Sequence, residues 1–234
     1  MSEPDPPIVL LHGLATNAAR TWHENGWVDI LSDEGRRCVT PDLPGHGHGG
    51  TSDDPETYRE FESQVLASFP DEPCDVIGFS LGARTAVIIA ATHPERVRRL
   101  VLAGVGENLF RSEGHGALLA AALSDLDRDQ VPEPPELAAV AHHFAQLARS
   151  CGQELSVLAA VLRRPDIRPL IAEDLSGVRV PTLVALGDRD PAGPAEPLLD
   201  ALATATLLTL KGVDHFATPR SMSFISGAID HLAG

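Results

Sequence analysis

Six short apolar runs, separated by longer amphipathic or alanine-rich segments, constrain the fold of this chain more than any other feature. The runs lie at residues 8–12, 37–42, 74–79, 97–103, 182–187 and 206–210. A near-continuous apolar run is typical of a strand that is covered on both faces, and strands that alternate with helices form a mostly parallel sheet. The sequence therefore predicts an α/β fold with a doubly wound sheet of about six strands.

Helical segments are predicted between these runs, at residues 27–33, 58–68, 81–91, 195–202 and 221–232. The stretch between the fourth and fifth runs is longer and breaks the alternation. Its alanine- and leucine-rich pieces are separated by Gly114, the proline cluster at 132–135, Gly152 and Pro165. A chain of 234 residues suits one domain. We therefore predict a core formed by residues 1–105 and 178–234, with residues 106–177 inserted as a helical cap.

The charge balance excludes one class of partner. The formal net charge is -15, and no basic stripe interleaved with aromatic side chains offsets it, so nucleic acid is not an expected partner.

No apolar stretch has the length needed to cross a bilayer, and residues 1–7 are acidic and proline-rich. Cys38, Cys74 and Cys151 are widely spaced and odd in number, which favours reduced thiols. We expect a cytoplasmic protein without membrane insertion.

The third run leads into Gly78-Phe79-Ser80-Leu81-Gly82, a Gly-x-Ser-x-Gly sequence that enters an alanine-rich segment. A serine at a sharp strand-to-helix turn projects its hydroxyl above the sheet, and flanking glycines are needed because side chains there would collide. Such a short pattern also occurs by chance in many chains. Ser80 is therefore a candidate nucleophile only if other residues complete its chemistry.

A nucleophilic serine needs a histidine base and a carboxylate that orients the base. In open parallel sheets, reactive groups gather beyond the carboxyl ends of the strands. Asp188 and Asp190 follow the fifth run, and His215 follows the sixth. Asp214 adjoins His215 but is not expected to orient it, because neighbouring side chains in an extended segment point apart. The order of serine, acid and histidine is the order expected for a Gly-x-Ser-x-Gly nucleophile on such a sheet.

The chain also carries His12-Gly13-Leu14 after the first run and Pro41-Asp42-Leu43-Pro44-Gly45-His46-Gly47 after the second. The later motifs are the serine turn, Gly187-Asp188-Arg189-Asp190 and Gly212-Val213-Asp214-His215-Phe216. Together these motifs resemble the α/β-hydrolase superfamily, and the resemblance spans almost the whole chain. In similar proteins the acid stands three residues after the glycine that ends its strand, which selects Asp190 over Asp188. Some related hydrolases place the acid after the preceding strand, where Glu107 is the alternative. Similar proteins also begin with an antiparallel hairpin, which we expect the sheet to lack.

Acyl transfer also needs N–H donors for the oxyanion of the tetrahedral intermediate. The amide of Leu81 is well placed, because it follows the nucleophile and opens a helix. The resemblance implies a second donor, the amide of Leu14. Both contributions come from the backbone, so the role does not depend on where the leucine side chains point.

Three side chains are predicted to contact the substrate: Phe79, Phe216 and His142. His142 and His143 are adjacent on one helix, so at most one of them can face a cleft. Aromatic residues make up only 4% of the chain, which favours an aliphatic cleft and acyl chains.

His46-Gly47-His48 looks like a metal-binding cluster. The surrounding proline and glycines mark a turn, and no carboxylate or cysteine completes a set of ligands. The same turn recurs in the superfamily without metal. We therefore expect neither a metal nor a cofactor.

The sequence predicts a serine hydrolase that cleaves a small carboxylic ester or thioester through an acyl-enzyme on Ser80, with His215 and Asp190. Serine at the turn argues against dehalogenases and epoxide hydrolases, whose relatives carry aspartate there. Carbon–carbon hydrolysis of ring-cleavage dienoates is the alternative, although those enzymes place tryptophan where this chain has Phe216. A ligand receptor without catalysis is a third possibility.

Overall fold

Six parallel strands form one open sheet in the computed structural model, in the order β2-β1-β3-β4-β5-β6. The structure describes residues 5–111, 115–132, 135–165 and 167–234. Every strand pairing within these ranges is parallel. The predicted α/β class and strand number are confirmed. The strands are β1 Ile8–Leu11, β2 Cys38–Val39, β3 Cys74–Phe79, β4 Val97–Ala103, β5 Thr182–Gly187 and β6 Ala205–Leu210.

Helices connect the strands and cover the sheet. Short π- and 3-10 turns supplement them at Ala19–His23, Pro55–Tyr58, Pro94–Arg96, Glu107–Leu109, Ala172–Leu175 and Thr218–Arg220. The α-helices are α1 Trp27–Asp33, α2 Phe61–Leu66, α3 Leu81–Thr92, α4 His115–Asp127, α5 Pro135–Ser150, α6 Leu155–Leu162, α7 Glu196–Ala201 and α8 Met222–Ala233.

Two elements are much shorter than the sequence predicts, while the other differences are of one or two residues at an end. β2 pairs only with β1, at two positions, so the backbone after Val39 leaves the edge of the sheet early. The predicted helix at 58–68 begins at Phe61, because Glu60 adopts a left-handed conformation with φ 54°. That residue separates α2 from the 3-10 turn that Asp54 caps by accepting the Glu56 amide.

The core lies on both faces of the sheet, as alternating strand residues require. Along β1, Val9 and Leu11 pack on one face while Ile8 and Leu10 pack on the other, and all four are fully buried. On the second face the Trp27 indole packs edge-on against Phe224 of α8, with ring centroids 4.8 Å apart. The sheet is therefore packed between two apolar layers.

Helices α4, α5 and α6 occupy most of the stretch between β4 and β5, where the sequence predicts helical pieces. Their buried side chains, including Leu123, Ala145 and Leu158, belong to the same apolar cluster as one face of the sheet. The predicted break at Gly114 lies outside the described residues, as do residues 133 and 134 of the predicted break at 132–135 and residues 1–4 of the N-terminus. Within the described ranges, none of the helices has the length and apolarity that a bilayer crossing demands.

Candidate active site

Ser80 lies at a sharp turn between β3 and α3, just beyond the carboxyl edge of the sheet. Its backbone has φ 54° and ψ -112°, a region that costs a non-glycine residue about 1–3 kcal/mol. The amide of Ser80 donates to the carbonyl oxygen of Ala103 on the neighbouring strand at 2.8 Å, which holds the turn in place. The strained conformation lifts the hydroxyl away from the strand.

The flanking glycines are required by space. A Cβ atom on Gly78 would lie 2.5 Å from the carbonyl oxygen of Gly82, and one on Gly82 would overlap the carbonyl oxygen of Leu11 in β1. The first turn of α3 therefore lies directly against β1 and β3. This close approach fixes Ser80 relative to the loop that follows β1.

Ser80, His215 and Asp190 form a continuous hydrogen-bonded chain. The Nε2 atom of His215 lies 3.0 Å from Ser80 Oγ, and its Nδ1 atom lies 2.9 Å from Asp190 Oδ2. The Asp190 side chain has no exposed surface and also accepts the amide of Ala192 at 2.9 Å. Because an ionised carboxylate only accepts, Nδ1 of His215 carries the proton and Nε2 is free to accept from the serine hydroxyl.

The other carboxylates considered for the acid have different partners. Asp188 accepts the amide of Gly212 at 2.7 Å, and Asp214 accepts the amide of Ala217 at 2.9 Å. Glu107 pairs with Arg111 at 3.0 Å. Of the carboxylates that the sequence leaves open, the structure brings Asp190 to His215.

The two amides predicted to bind an oxyanion flank the serine. Leu81 is the first residue of α3, and Leu14 lies in the loop after β1. A Cβ atom on Gly13 would lie 3.4 Å from Ser80 Cβ, so this loop passes beside the serine. Neither leucine amide has a hydrogen-bond acceptor among the described residues, which leaves both N–H groups available to a ligand.

A buried histidine, His12, supports the Leu14 loop from beneath. Its Nε2 atom accepts the amide of Leu43 at 2.9 Å, so Nδ1 carries the proton and donates to the carbonyl oxygen of Gly13 at 2.8 Å. Burial lowers the pKa of His12 to about 4. The ring is therefore neutral at pH 7 and acts as both donor and acceptor.

His46 supports the same loop from the segment that follows β2. Its Nε2 atom accepts the amide of Ala15 at 3.2 Å, and its Nδ1 atom donates to the carbonyl oxygen of Pro44 at 3.1 Å. Burial, and then the neighbouring His12, lowers the pKa of His46 to about 3. Ala15 has φ 63°, a conformation that an alanine rarely adopts, and this hydrogen bond helps to hold it.

The sequence did not predict this pair of supports. His12 entered only as part of a motif, and His46 was weighed as a metal ligand. Among the described residues, no group of three or more His, Cys, Asp or Glu side chains is arranged to hold a metal ion. The sequence signal was the place of each histidine beside glycine in a turn motif, and it does not reveal that the rings are buried.

The three predicted substrate contacts lie in different environments. Phe79 is 6% exposed and packs against the His215 ring, with ring centroids 5.0 Å apart. Phe216 packs against His143 of α5 at 3.8 Å. His142 is exposed, and its Nδ1 atom bonds to the carbonyl oxygen of Ala138 in its own helix at 2.7 Å. The structure does not bring His142 to the site; its neighbour His143 takes that position, because adjacent helical residues point about 100° apart.

A family model described as the alpha/beta hydrolase fold matches residues 6–177. The chain therefore belongs to this family, as its motifs predict.

Three known proteins illustrate the similarity. Pimeloyl-acyl carrier protein methyl ester esterase from Neisseria meningitidis is 28% identical over 198 residues, which span 82% of this chain and 70% of that protein. The 2-hydroxymuconate semialdehyde hydrolase of Pseudomonas sp. strain CF600 is 32% identical over 104 residues, or 42% of this chain and 36% of that protein. The solved structure of the enol-lactonase from Burkholderia xenovorans LB400 superposes with a TM-score of 0.77 at 23% identity, covering 98% of this chain and 92% of that chain.

These similarities differ in weight. At 23% sequence identity, the similarity to the enol-lactonase structure shows a shared fold alone. The chain matches 36%, 33% and 37% of the length of three further curated esterases, so those alignments cover only part of each enzyme.

Proposed function

We propose that this protein is a serine hydrolase that cleaves a small carboxylic ester or thioester through an acyl-enzyme. The observation that carries the proposal is the hydrogen-bonded chain from Ser80 through His215 to Asp190. The names of several relatives, which are esterases, support the same reaction class.

In the proposed acylation step, Ser80 Oγ attacks the carbonyl carbon of the substrate. His215 Nε2 accepts the hydroxyl proton, and Asp190 stabilises the imidazolium that forms. The same proton then passes to the leaving alcohol or thiol as the bond to it breaks. Water, activated by His215, hydrolyses the acyl-enzyme and restores the serine.

The amides of Leu14 and Leu81 are the proposed donors to the oxyanion. Both N–H groups are unpaired among the described residues, and Leu81 also lies at the positive end of the α3 dipole. One such donor contributes about 10²–10³-fold to the rate of acyl transfer.

Residues 106–177 are the proposed cap. Helix α5 approaches the site through His143 and Phe144, which both contact Phe216 beside the base. This contact supports a role for the cap in shaping the acyl pocket. The three cysteines are free, which suits our proposal that the protein works in the reducing environment of the cytoplasm.

The test is hydrolysis of a series of p-nitrophenyl esters and matched acyl thioesters of increasing chain length. We expect turnover by the wild type and loss of at least about 10³-fold in Ser80→Ala. Ser63→Ala is the matched control, because Ser63 is an exposed serine on α2. An equal rate in Ser80→Ala and the wild type would refute the proposed nucleophile.

Carbon–carbon hydrolysis is the second candidate, because a relative over 42% of the chain is named a 2-hydroxymuconate semialdehyde hydrolase. Adding a ring-cleavage dienoate to the substrate series separates the two reactions. Turnover of the dienoate with none of the esters would favour this candidate. Saturable binding of an ester without turnover would instead favour a ligand receptor.

A further inference from the structure

One side chain from the proposed cap reaches the loop that carries Leu14. The Nε2 group of Gln153 donates to the carbonyl oxygen of Thr16 at 2.7 Å, a contact between residues 137 positions apart. A carbonyl oxygen only accepts hydrogen bonds, so the amide nitrogen of Gln153 must face it. Thr16 is 5% exposed and Gln153 is half-buried, so the contact is partly shielded from solvent.

The backbone of Gln153 is fixed by the end of helix α5. The amide of Gln153 donates to the carbonyl oxygen of Ala148 at 2.9 Å, and the amide of Gly152 donates to that of Arg149 at 3.1 Å. Gly152 has φ 68°, which completes the left-handed turn typical of a Schellman helix end. Ala148 is fully buried, so this helix end is anchored in the core. The position of the glutamine therefore follows the position of α5.

The Leu14 amide depends on its neighbours for its direction. In a planar trans peptide, the Gly13 carbonyl and the Leu14 N–H point in opposite directions, so holding one fixes the other. His12 holds the Gly13 carbonyl, and His46 holds the amide of Ala15. Both of these supports come from the core side. The glutamine amide is a third support, and it comes from the proposed cap.

The contact adds little to stability by itself. The Oε1 atom of Gln153 is buried and has no hydrogen-bond partner among the described residues. An unpaired buried acceptor costs free energy that offsets what the Nε2 bond contributes. The side chain of Gln153 therefore contributes to the position of the loop and not to the stability of the fold.

We propose that Gln153 is a positioning residue that fixes the Leu14 loop and makes the oxyanion site depend on the placement of α5. The inference rests on the proposed hydrolase function. The neutral side chain of Gln153, which belongs to the proposed cap, orders the loop whose Leu14 amide acts on the substrate. The cap and the oxyanion site therefore move as one unit.

The first test compares steady-state kinetics of Gln153→Met, which removes the donor, with Gln153→Lys, which retains one. We expect Gln153→Met to lower kcat about tenfold with KM within about twofold, because small misplacement of a catalytic group is costly. The melting temperature should stay close to that of the wild type. Gln153→Lys should recover most of the rate, and Gln146→Met, at an exposed site on α5, should match the wild type.

Two kinetic results would overturn the proposal. One is an unchanged kcat in Gln153→Met. The other is an equal loss in Gln153→Met and Gln153→Lys, since that would show that the donor is irrelevant.

The second test does not depend on catalysis. Amide hydrogen exchange of the peptide that contains residues 13–18 should become faster in Gln153→Met than in the wild type and in Gln146→Met. Unchanged exchange would contradict the proposal that Gln153 holds this loop in place. If the wild type hydrolyses no ester, the hydrolase proposal fails while the exchange measurement still reports on the contact.

Discussion

Acid should destabilise this protein through the two buried histidines beneath the Leu14 loop. The pKa of His46 is lowered from 6.5 to about 3, so the folded state binds a proton less readily than the unfolded state. The stability that comes from the neutral ring is complete above pH 6.5, and it is lost as the pH falls from 6.5 towards 3. His12, with a pKa of about 4, behaves in the same direction.

The size of the effect follows from the difference in proton binding. At pH 5 the unfolded imidazole is mostly protonated, while both folded rings are still neutral. The unfolding free energy should then be about 2 kcal/mol lower at pH 5 than at pH 8 for each of the two histidines, since one pKa unit corresponds to about 1.4 kcal/mol. Together the two should remove about 4 kcal/mol, a large share of the stability of an ordinary domain.

Urea denaturation at pH 8 and pH 5 measures this loss. In His46→Gln, the glutamine carbonyl can accept the Ala15 amide but does not titrate in this range. The wild type should therefore lose about 2 kcal/mol more than His46→Gln between the two pH values. His48→Gln is the matched control, because His48 is an exposed histidine in the same loop. An equal loss in the wild type and His46→Gln would refute the reasoning.

Three further predictions concern the serine turn and its acid. Asp190→Asn should lower kcat by about 10³–10⁴-fold, while Asp188→Asn should keep most of the rate, as ester hydrolysis will show. Gly82→Ala should lower the unfolding free energy by about 1–3 kcal/mol in urea, because the new Cβ overlaps the Leu11 carbonyl. Ser80→Gly should have an unfolding free energy about 1 kcal/mol higher than that of Ser80→Ala, because glycine tolerates φ 54°. Calorimetry that finds the two variants equally stable would contradict the inference that the backbone of Ser80 is strained.

The sequence predicted the central strands well because their environment is simple. β3, β4 and β5 are covered on both faces, so their continuous apolar runs begin and end where the strands do. β2 is an edge strand, and the predicted run continues past it into a loop in which Asp42 accepts the amides of Ala18 and His48. The left-handed Glu60 that shortens α2 has no local sequence signal, since glutamate carries no preference for that conformation.

The parts of the site that follow strand ends were predictable, and the parts that rest on long-range contacts were not. Ser80, Asp190 and His215 each stand at a fixed offset from a strand. The bond from Gln153 to Thr16 joins two loops far apart in the chain, and no spacing predicts it. The choice between His142 and His143 depends on the rotation of α5 about its axis, which the apolar pattern alone does not define.

Labelling with a fluorophosphonate probe, followed by peptide mass spectrometry, tests the central claim most directly. A nucleophilic serine activated by a histidine forms a stable covalent adduct with such a probe. We predict a single adduct on the peptide that contains Ser80, no adduct in Ser80→Ala, and labelling slowed at least about 10²-fold in His215→Ala. An adduct on a different serine, or a labelling rate that does not change in His215→Ala, would contradict the account.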